Sequence, residues 1–268
     1  VMQMSGAEFN VSARGDNQPS ANKMLVMVDG RSIYIDAQGI PYWKLLPITL
    51  PEIKRIEVLK GPASAVYGFN AFDGIISITT KSAEEMRGAT LQFGGGEVGI
   101  LTVAGVYANV VNKLGYRLSA GHDQHGQWRN HDALAFRSSK FNVSTQYALT
   151  EDSKLLLSGG LANANRYDGP IAESITNASS PSQRYASVAY ERSQFFLRAS
   201  WAGFSDSPDN IFNPLVAPFI QVVNSSGDPV RHYEARTNTY NVEAQHSLIL
   251  SPAHHLTYGA NYRHNTLD

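Results

Sequence analysis

The chain has 268 residues, a formal net charge of −1 and no cysteine. This excludes a disulfide framework and a cysteine-ligated metal centre, and gives no electrostatic case for nucleic acid. Charged residues are 17% of the chain, below the roughly 25% usual for soluble domains, and no apolar run reaches the roughly 18 residues of a membrane helix. A membrane β-barrel stays open, because its apolar residues hide in alternation.

Residues 1–23 are polar and turn-rich and read as loop. Residues 24–28 read as a buried strand, Asp29-Gly30 as a tight turn, and Arg31 to Ile35 as the returning strand. Gly39 to Pro47 is a loop carrying Tyr42 and Trp43, aromatics that either pack in a core or face a ligand path. Pro51 suits the first turn of a short helix, where its missing N–H has no partner to lose. Ile53, Ile56 and Val58 then shift to strand alternation, which Gly61-Pro62 stops. Gly68 and Gly74 bracket a bend, and the β-branched run from Ile75 to Thr80 is a second strand.

From Gly88 the pattern has period two. Leu114, Tyr116, Leu118 and Ala120 alternate with Gly115, Arg117, Ser119 and Gly121, and Tyr240, Val242, Ala244 and His246 with Asn241, Glu243 and Gln245. Nine strands are predicted, near 88–96, 99–109, 113–122, 135–149, 153–166, 184–191, 194–205, 235–250 and 254–267. Tight links after the second, fourth, sixth and eighth strands alternate with mostly long ones: His122 to Leu134, Tyr167 to Gln183 and Asp206 to Glu234. That is the outer-membrane pattern of short periplasmic turns and long outer loops. In lipid the apolar face would point outward. Arg117, Arg198, Glu243 and Arg263 would point into the lumen, pairing with carboxylates such as Glu52, Glu57 or Asp29 or meeting an anionic ligand.

Other constellations are weaker. Gly94 to Gly99 satisfies a dinucleotide-loop spacing, but a β-like run follows where a helix is needed, so a glycine-rich hairpin is the better reading. His122, His125, His131, Asp123 and Asp132 sit close in sequence without the spacing of a specific metal site and read as a solvated loop. No nucleophile elbow, HExxH or Walker loop is present, so no catalytic set and no enzyme is expected.

One stretch carries more. Ile53, Arg55, Ile56, Glu57, Val58, Lys60, Gly61, Pro62, Ser64, Tyr67, Gly68, Ala71, Gly74, Ile76, Ile78, Thr80 and Lys81 stand at the spacing of the plug signature of TonB-dependent outer-membrane receptors. Residues 11–15, which include Arg14, and residues 24–31, which include Asp29 and Arg31, extend the resemblance. It implies an α+β plug domain (1–82) followed by antiparallel transmembrane β-barrel strands (83–268), about nine of an expected 22. The chain is therefore expected to be a piece of a longer receptor, with an incomplete barrel. The resemblance also implies a monomeric barrel in outer-membrane lipid of a Gram-negative bacterium, without a cofactor, using TonB as mechanical partner. Its ligand would be scarce, foremost a ferric siderophore, with cobalamin, another metal complex or a glycan as alternatives. Charged signature residues, here Arg55, Glu57 and Lys60, would hold the plug to the barrel wall. Tyr42, Trp43, Trp128, Tyr167 and Tyr185 are candidate ligand contacts. Rival readings are a receptor that mainly signals, and a soluble all-β module in which Leu118, Phe195, Trp201 and Tyr258 form a dry core.

Overall fold

A computed structural model describes residues 1–3, 9–12, 23–35, 39–67, 71–97, 99–126, 136–165, 167–170, 176–207, 226, 234–251 and 254–268. The N-terminal unit opens with two short paired strands, β1 (Met2–Gln3) and β2 (Phe9–Asn10). Its centre is a four-stranded sheet of β3 (Met24–Val28), β4 (Arg31–Ser32), β5 (Ile53–Lys60) and β6 (Gly74–Thr80), in the order β4-β3-β6-β5. β3 and β6 run parallel, and β5 returns antiparallel to β6. Met24, Val26, Ile33, Leu46, Ile75 and Ile78 are among the buried side chains that make its core. The apolar runs on β3 and β6 are continuous because both strands are covered on their two faces.

The Asp29-Gly30 turn has positive φ at both residues, 49° and 76°, the mirror-image turn that matches strand twist. Asp29 then clasps the end of β6: its carboxylate accepts from the Thr80 N–H at 2.8 Å and the Thr80 hydroxyl at 2.9 Å. The returning strand is shorter than expected. β4 stops at Ser32, and Ile35 makes an isolated bridge to Ile40. A 3-10 turn at Trp43–Leu45 and another at Leu50–Glu52, with Pro51 inside it, lead into β5. Between the Gly61-Pro62 corner and Gly68, ahead of the bend read from sequence, stands one helical turn, α1 (Ser64–Tyr67); a single turn is too short for periodicity to reveal.

The second unit is one antiparallel sheet of nine strands: β7 (Gly88–Gly96), β8 (Ile100–Val111), β9 (Leu114–His125), β10 (Phe136–Ala148), β11 (Ser153–Asn165), β14 (Ser182–Arg192), β15 (Phe195–Asp206), β16 (Ala235–Ser251) and β17 (His254–Leu267). A separate hairpin, β12 (Tyr167–Pro170) with β13 (Thr176–Ser179), stands between β11 and β14, inside what the sequence presents as one long loop. β9 also outruns its predicted end at residue 122 and takes in Asp123 and His125 beyond His122. Two of these polar residues are satisfied by β10, where Lys140 pairs with Asp123 at 2.9 Å and Ser139 hydrogen-bonds His122 at 3.0 Å, and His125 packs edge-on against Phe136. Among the described residues no group of His, Asp and Glu is placed to hold a metal; His131 and Asp132 lie outside them.

Register puts every second residue of the sheet on one face. Tyr107, Leu118, Val143, Gly159, Ala186, Trp201, Tyr240 and His264 follow one another across neighbouring strands on the outer face. This face is apolar and open: Leu118, Leu157, Val188, Leu197, Val242 and Tyr258 are exposed, so Leu118 and Tyr258 do not lie in a dry core. Near the tight turns it carries aromatics, with Tyr107 against Tyr116, Tyr190 against Phe195 and His246 against Tyr258. The opposite face holds Arg117, Ser119, Asn142 and Gln183, all buried, and the N-terminal unit sits against it.

Candidate functional site at the seam between the two units

The seam is built from three patches. Toward the long links, Ile35, Tyr42 and Leu45 of the N-terminal unit pack on Phe136, Ala162, Ala164 and Phe204 of the sheet. Tyr42 stacks on Phe204 with ring centroids 5.3 Å apart. Beside this patch is a cavity of about 500 Å³ that includes Trp43, Lys44, Asp123 and Lys140. Burial pulls the Lys44 pKa down; Asp123 opposes that shift and Lys140 adds to it.

Midway along the strands the seam turns polar around Glu52. Its position follows from local chemistry: Pro51 starts the 3-10 turn, and the Glu52 carboxylate reaches back to the Thr49 N–H at 2.7 Å and hydroxyl at 2.8 Å. The same carboxylate accepts from Ser119 Oγ at 2.6 Å and Asn142 Nδ2 at 2.9 Å, and Arg117 Nε pairs with it at 3.1 Å. The Glu52 side chain is 0% exposed and that of Arg117 4%. A buried pair of this kind is tolerated only when the remaining polar atoms also find partners. Arg117 Nη2 donates to Thr80 Oγ1 at 3.1 Å and Nη1 to the Lys81 carbonyl. Lys81 closes the knot, its N–H donating to the Glu52 carbonyl at 2.8 Å and its Nζ to the Pro51 carbonyl at 2.9 Å. Close approach is helped by missing side chains: a Cβ on Gly121 would stand 2.9 Å from Thr49 Cγ2, and one on Gly160 3.1 Å from Pro47 Cβ.

The third patch is the Asp29-Gly30 hairpin. Arg198 of β15 lies against Gly30 so closely that a Cβ there would overlap its guanidinium. Arg198 also faces Glu243 at 3.6 Å. Arg31 is buried and stacks over the Tyr185 ring at 3.9 Å. Burial lowers the Arg31 pKa; Tyr185 and Asp29 oppose the shift, and Arg198 adds to it. The Tyr185 hydroxyl donates to Asn142 Oδ1 at 2.6 Å, which joins this patch to the Glu52 knot.

The residues singled out from sequence therefore divide. Asp29, Arg31, Lys81, Arg117, Arg198 and Glu243 meet at the seam. Tyr42 and Tyr185 are there too, as packing and hydrogen-bonding groups, and Trp43 packs on the N-terminal core. Arg55 and Glu57 pair with each other at 3.1 Å on one face of β5, and Lys60 is exposed on the other; among the described residues no ion pair joins any of the three to the wall. Gly61 donates its N–H to Asp73 O at 2.9 Å, Pro62 follows it, and Gly74 has φ 157° beside the Leu59 carbonyl. Tyr67 ends α1 half-exposed and Arg263 lies on the inner face of β17. Tyr167 is on β12; Arg14, Gly68 and Trp128 lie outside the described residues. Sequence reasoning offered Glu52 as one of three partners for the wall arginines. The signal that singles it out is Thr49-x-x-Glu52, a capping-box spacing that fixes the carboxylate before the wall reaches it.

Comparison with known proteins places this geometry. The model of the TonB-dependent receptor plug domain matches residues 2–75. The vitamin B12 transporter BtuB of Vibrio vulnificus is 37% identical over 91 residues, 34% of this chain and 14% of that protein. Among solved structures, the FrpB iron transporter of Neisseria meningitidis superposes with a TM-score of 0.69 at 16% identity, over 92% of this chain and 40% of that one. The ferric enterobactin receptor PfeA of Pseudomonas aeruginosa gives 0.67 at 16%, over 92% and 42%. The chain thus spans well under half the length of these relatives, and the two structures share its fold.

Proposed function

We propose that this chain, which belongs to the TonB-dependent receptors, forms the plug and an adjoining stretch of barrel wall in an outer-membrane uptake receptor of a Gram-negative bacterium. The observation that carries the reading is the division of the nine strands: an apolar, exposed outer face and a polar inner face seated on the plug. Such a sheet suits lipid on one side and a plugged lumen on the other, since an arginine at the lipid midplane costs about 2–4 kcal/mol. Residues 1–82 are assigned to the plug and 83–268 to the wall. The exposed strand β5, which carries Arg55, Glu57 and Lys60, is assigned to contact with further barrel wall. Arg14 and Gly68 complete the plug signature.

The cargo we favour is a ferric siderophore, taken up at the expense of energy delivered through TonB. The fold shared with an iron transporter and a ferric enterobactin receptor supports this. Cobalamin is the second reading, supported by the identity to BtuB. Trp43, Trp128 and Tyr167 stay assigned to ligand contact. In either case the plug is a two-state element, and ligand biases it through contacts that differ between seated and rearranged states.

The test is thermal stabilisation of the intact receptor in detergent against ferric siderophores, cobalamin and oligosaccharides. A shift with one class assigns the cargo. A folded, heat-modifiable receptor that responds to none of them counts against uptake of these ligands.

A further inference from the structure

We propose that the outer face of the sheet carries a docking site for a lipid with an anionic phosphate headgroup, one acyl chain lying in a trough across β11, β14 and β15 and the phosphate at Arg184. The site rests on the reading of that face as lipid-facing. The trough is about 710 Å³, and no charged residue lines it. Gly159, Ala186 and Ala199 form its low ground, and Leu157, Val188 and Trp201 stand taller around them. Gly159 sits inside β11. A glycine within a strand marks a bulge, a tight bend, or a place where a ligand or another backbone comes close. The pairing of β11 runs through Gly159 without a shift on either side, and its φ is not positive. A Cβ there would meet nothing nearer than the Tyr185 carbonyl at 3.4 Å. The adjacent Gly160 differs: a Cβ there would stand 2.9 Å from the Phe141 carbonyl and 3.1 Å from Pro47 Cβ of the plug. Close packing thus requires Gly160, whereas neither pairing, backbone nor packing requires Gly159. What its missing side chain supplies is depth on the outer face.

Toward the long links the trough meets a polar pocket. Trp201 lines both the trough and this pocket of about 460 Å³, which also includes Arg184, Ser205, Glu234, Arg236 and Asn238. The Trp201 ring lies over Gly203, where a Cβ would come within 2.7 Å of it, and its Nε1 donates to Asn238 Oδ1 at 3.0 Å. The indole therefore marks the border between apolar and polar ground, as tryptophan does at a membrane interface. Glu234 is the carboxylate of the pocket, and it is engaged: its Oε1 accepts from Arg236 Nε at 2.9 Å and Nη2 at 2.6 Å. That pair cancels and leaves the charge of Arg184. Arg184 donates to Ser205 Oγ at 3.3 Å, and its neighbours in register are Leu161 and Gly203. Among the described residues no ion pair holds it. It shares the face of Ala186 and stands two residues nearer the long links on β14, about 7 Å along the strand. Long links face outward in an outer-membrane barrel, so Arg184 falls where headgroups would lie. A guanidinium matches a phosphate in shape and charge. Apolar trough and single uncompensated cation thus follow one another in the order of a lipid's tail and head.

The experiment places the intact receptor in phosphatidylcholine vesicles and measures tryptophan quenching by lipids with brominated acyl chains, with Trp201→Phe giving the share due to Trp201. Brominated phosphatidic acid should quench that share with about fivefold higher apparent affinity than brominated phosphatidylcholine, whose own choline neutralises its phosphate; this is the worth of one arginine at an anionic lipid. Arg184→Gln should remove the preference and leave quenching by phosphatidylcholine as it was. Gly159→Leu should fill the trough and lower quenching by both lipids. Equal affinity for the two lipids in the wild-type receptor overturns the proposal, and that comparison needs no variant of the site to fold. A preference that survives Arg184→Gln overturns it too, and unchanged quenching in Gly159→Leu overturns the trough as the seat of the chain. In each of these cases Trp201 still meets lipid, and the lipid-facing reading stands. A Trp201 share that neither lipid quenches removes that reading itself, and this site with it.

Discussion

Toward the long links the seam joins Tyr42 and Leu45 to Phe136 and Phe204 with no charge among them, whereas midway along β9 and β10 Glu52 meets Arg117, Ser119 and Asn142. The apolar patch is non-directional. It stabilises contact in proportion to area and tolerates small displacements. The polar knot is directional, and a shift of an ångström breaks several hydrogen bonds together. A plug held by the first alone could slide; held by the second as well, it has one register. The polar patch also carries the larger penalty for partial failure, because a stranded buried charge costs more than a small cavity.

Substitution can break that contrast. The largest expected effect is at Glu52. Glu52→Leu strands Arg117 and should destabilise plug docking by about 3–5 kcal/mol, seen as a lower denaturant midpoint and faster proteolysis of the plug in the intact receptor. Adding Arg117→Leu should recover much of that loss, since the pair is worth less than either charge alone. An E52L receptor as stable as wild type would remove the knot from the argument. Next comes the apolar patch, where Phe204→Ala should cost about 3 kcal/mol by the same measurements, with no rescue from any second site in the knot. Gly30→Ala should cost about 1–2 kcal/mol for the left-handed backbone and displace Arg198; crystallography or altered accessibility of Arg198 to a guanidine-directed reagent would register it.

The smallest effect is a pH dependence at the link between the units. Lys54 donates to Glu85 at 2.5 Å, and Glu85 also accepts from the Ser82 N–H at 2.8 Å. The Lys54 hydrogen bond, then that of Ser82, hold the Glu85 pKa below its ordinary value. The stability this contributes is present above the ordinary carboxylate pKa and is lost as pH falls through the lowered one. Amide exchange at residues 82–86 should therefore quicken on acidification, while exchange around Glu52 holds. Equal quickening at both would show that the link and the knot open as one unit.

Much of this was legible in the chain. All nine strands of the wall stand where alternation puts them, because a sheet with an apolar face and a polar face writes a period of two into the sequence. The Asp29-Gly30 hairpin was legible for a different reason: few residues accept positive φ. The length of β9 was hidden, since Asp123 and His125 look like loop until Lys140 and Phe136 appear across the ladder. The hairpin β12–β13 was hidden as well, in a stretch without alternation. The knot was half legible. Arg117 falls on a polar face by register, but which plug carboxylate it meets depends on how two units pack, a long-range fact that no local pattern encodes.

The parallel pairing of β3 with β6 has a mechanical consequence. Five residue pairs, Met24 with Gly74 through Val28 with Ile78, join the two strands side by side, and β6 continues through Lys81 into the knot. Tension applied ahead of Met24 runs along β3 while β6 is anchored at its far end, so the five pairs are loaded together in shear. β4 is held to β3 by two pairs, Met27 with Ser32 and Val28 with Arg31, and a sideways load opens them one after the other, as a zipper opens. The central sheet is thus stiff to an axial pull and soft to a lateral one, and the direction of a force decides which strand leaves first.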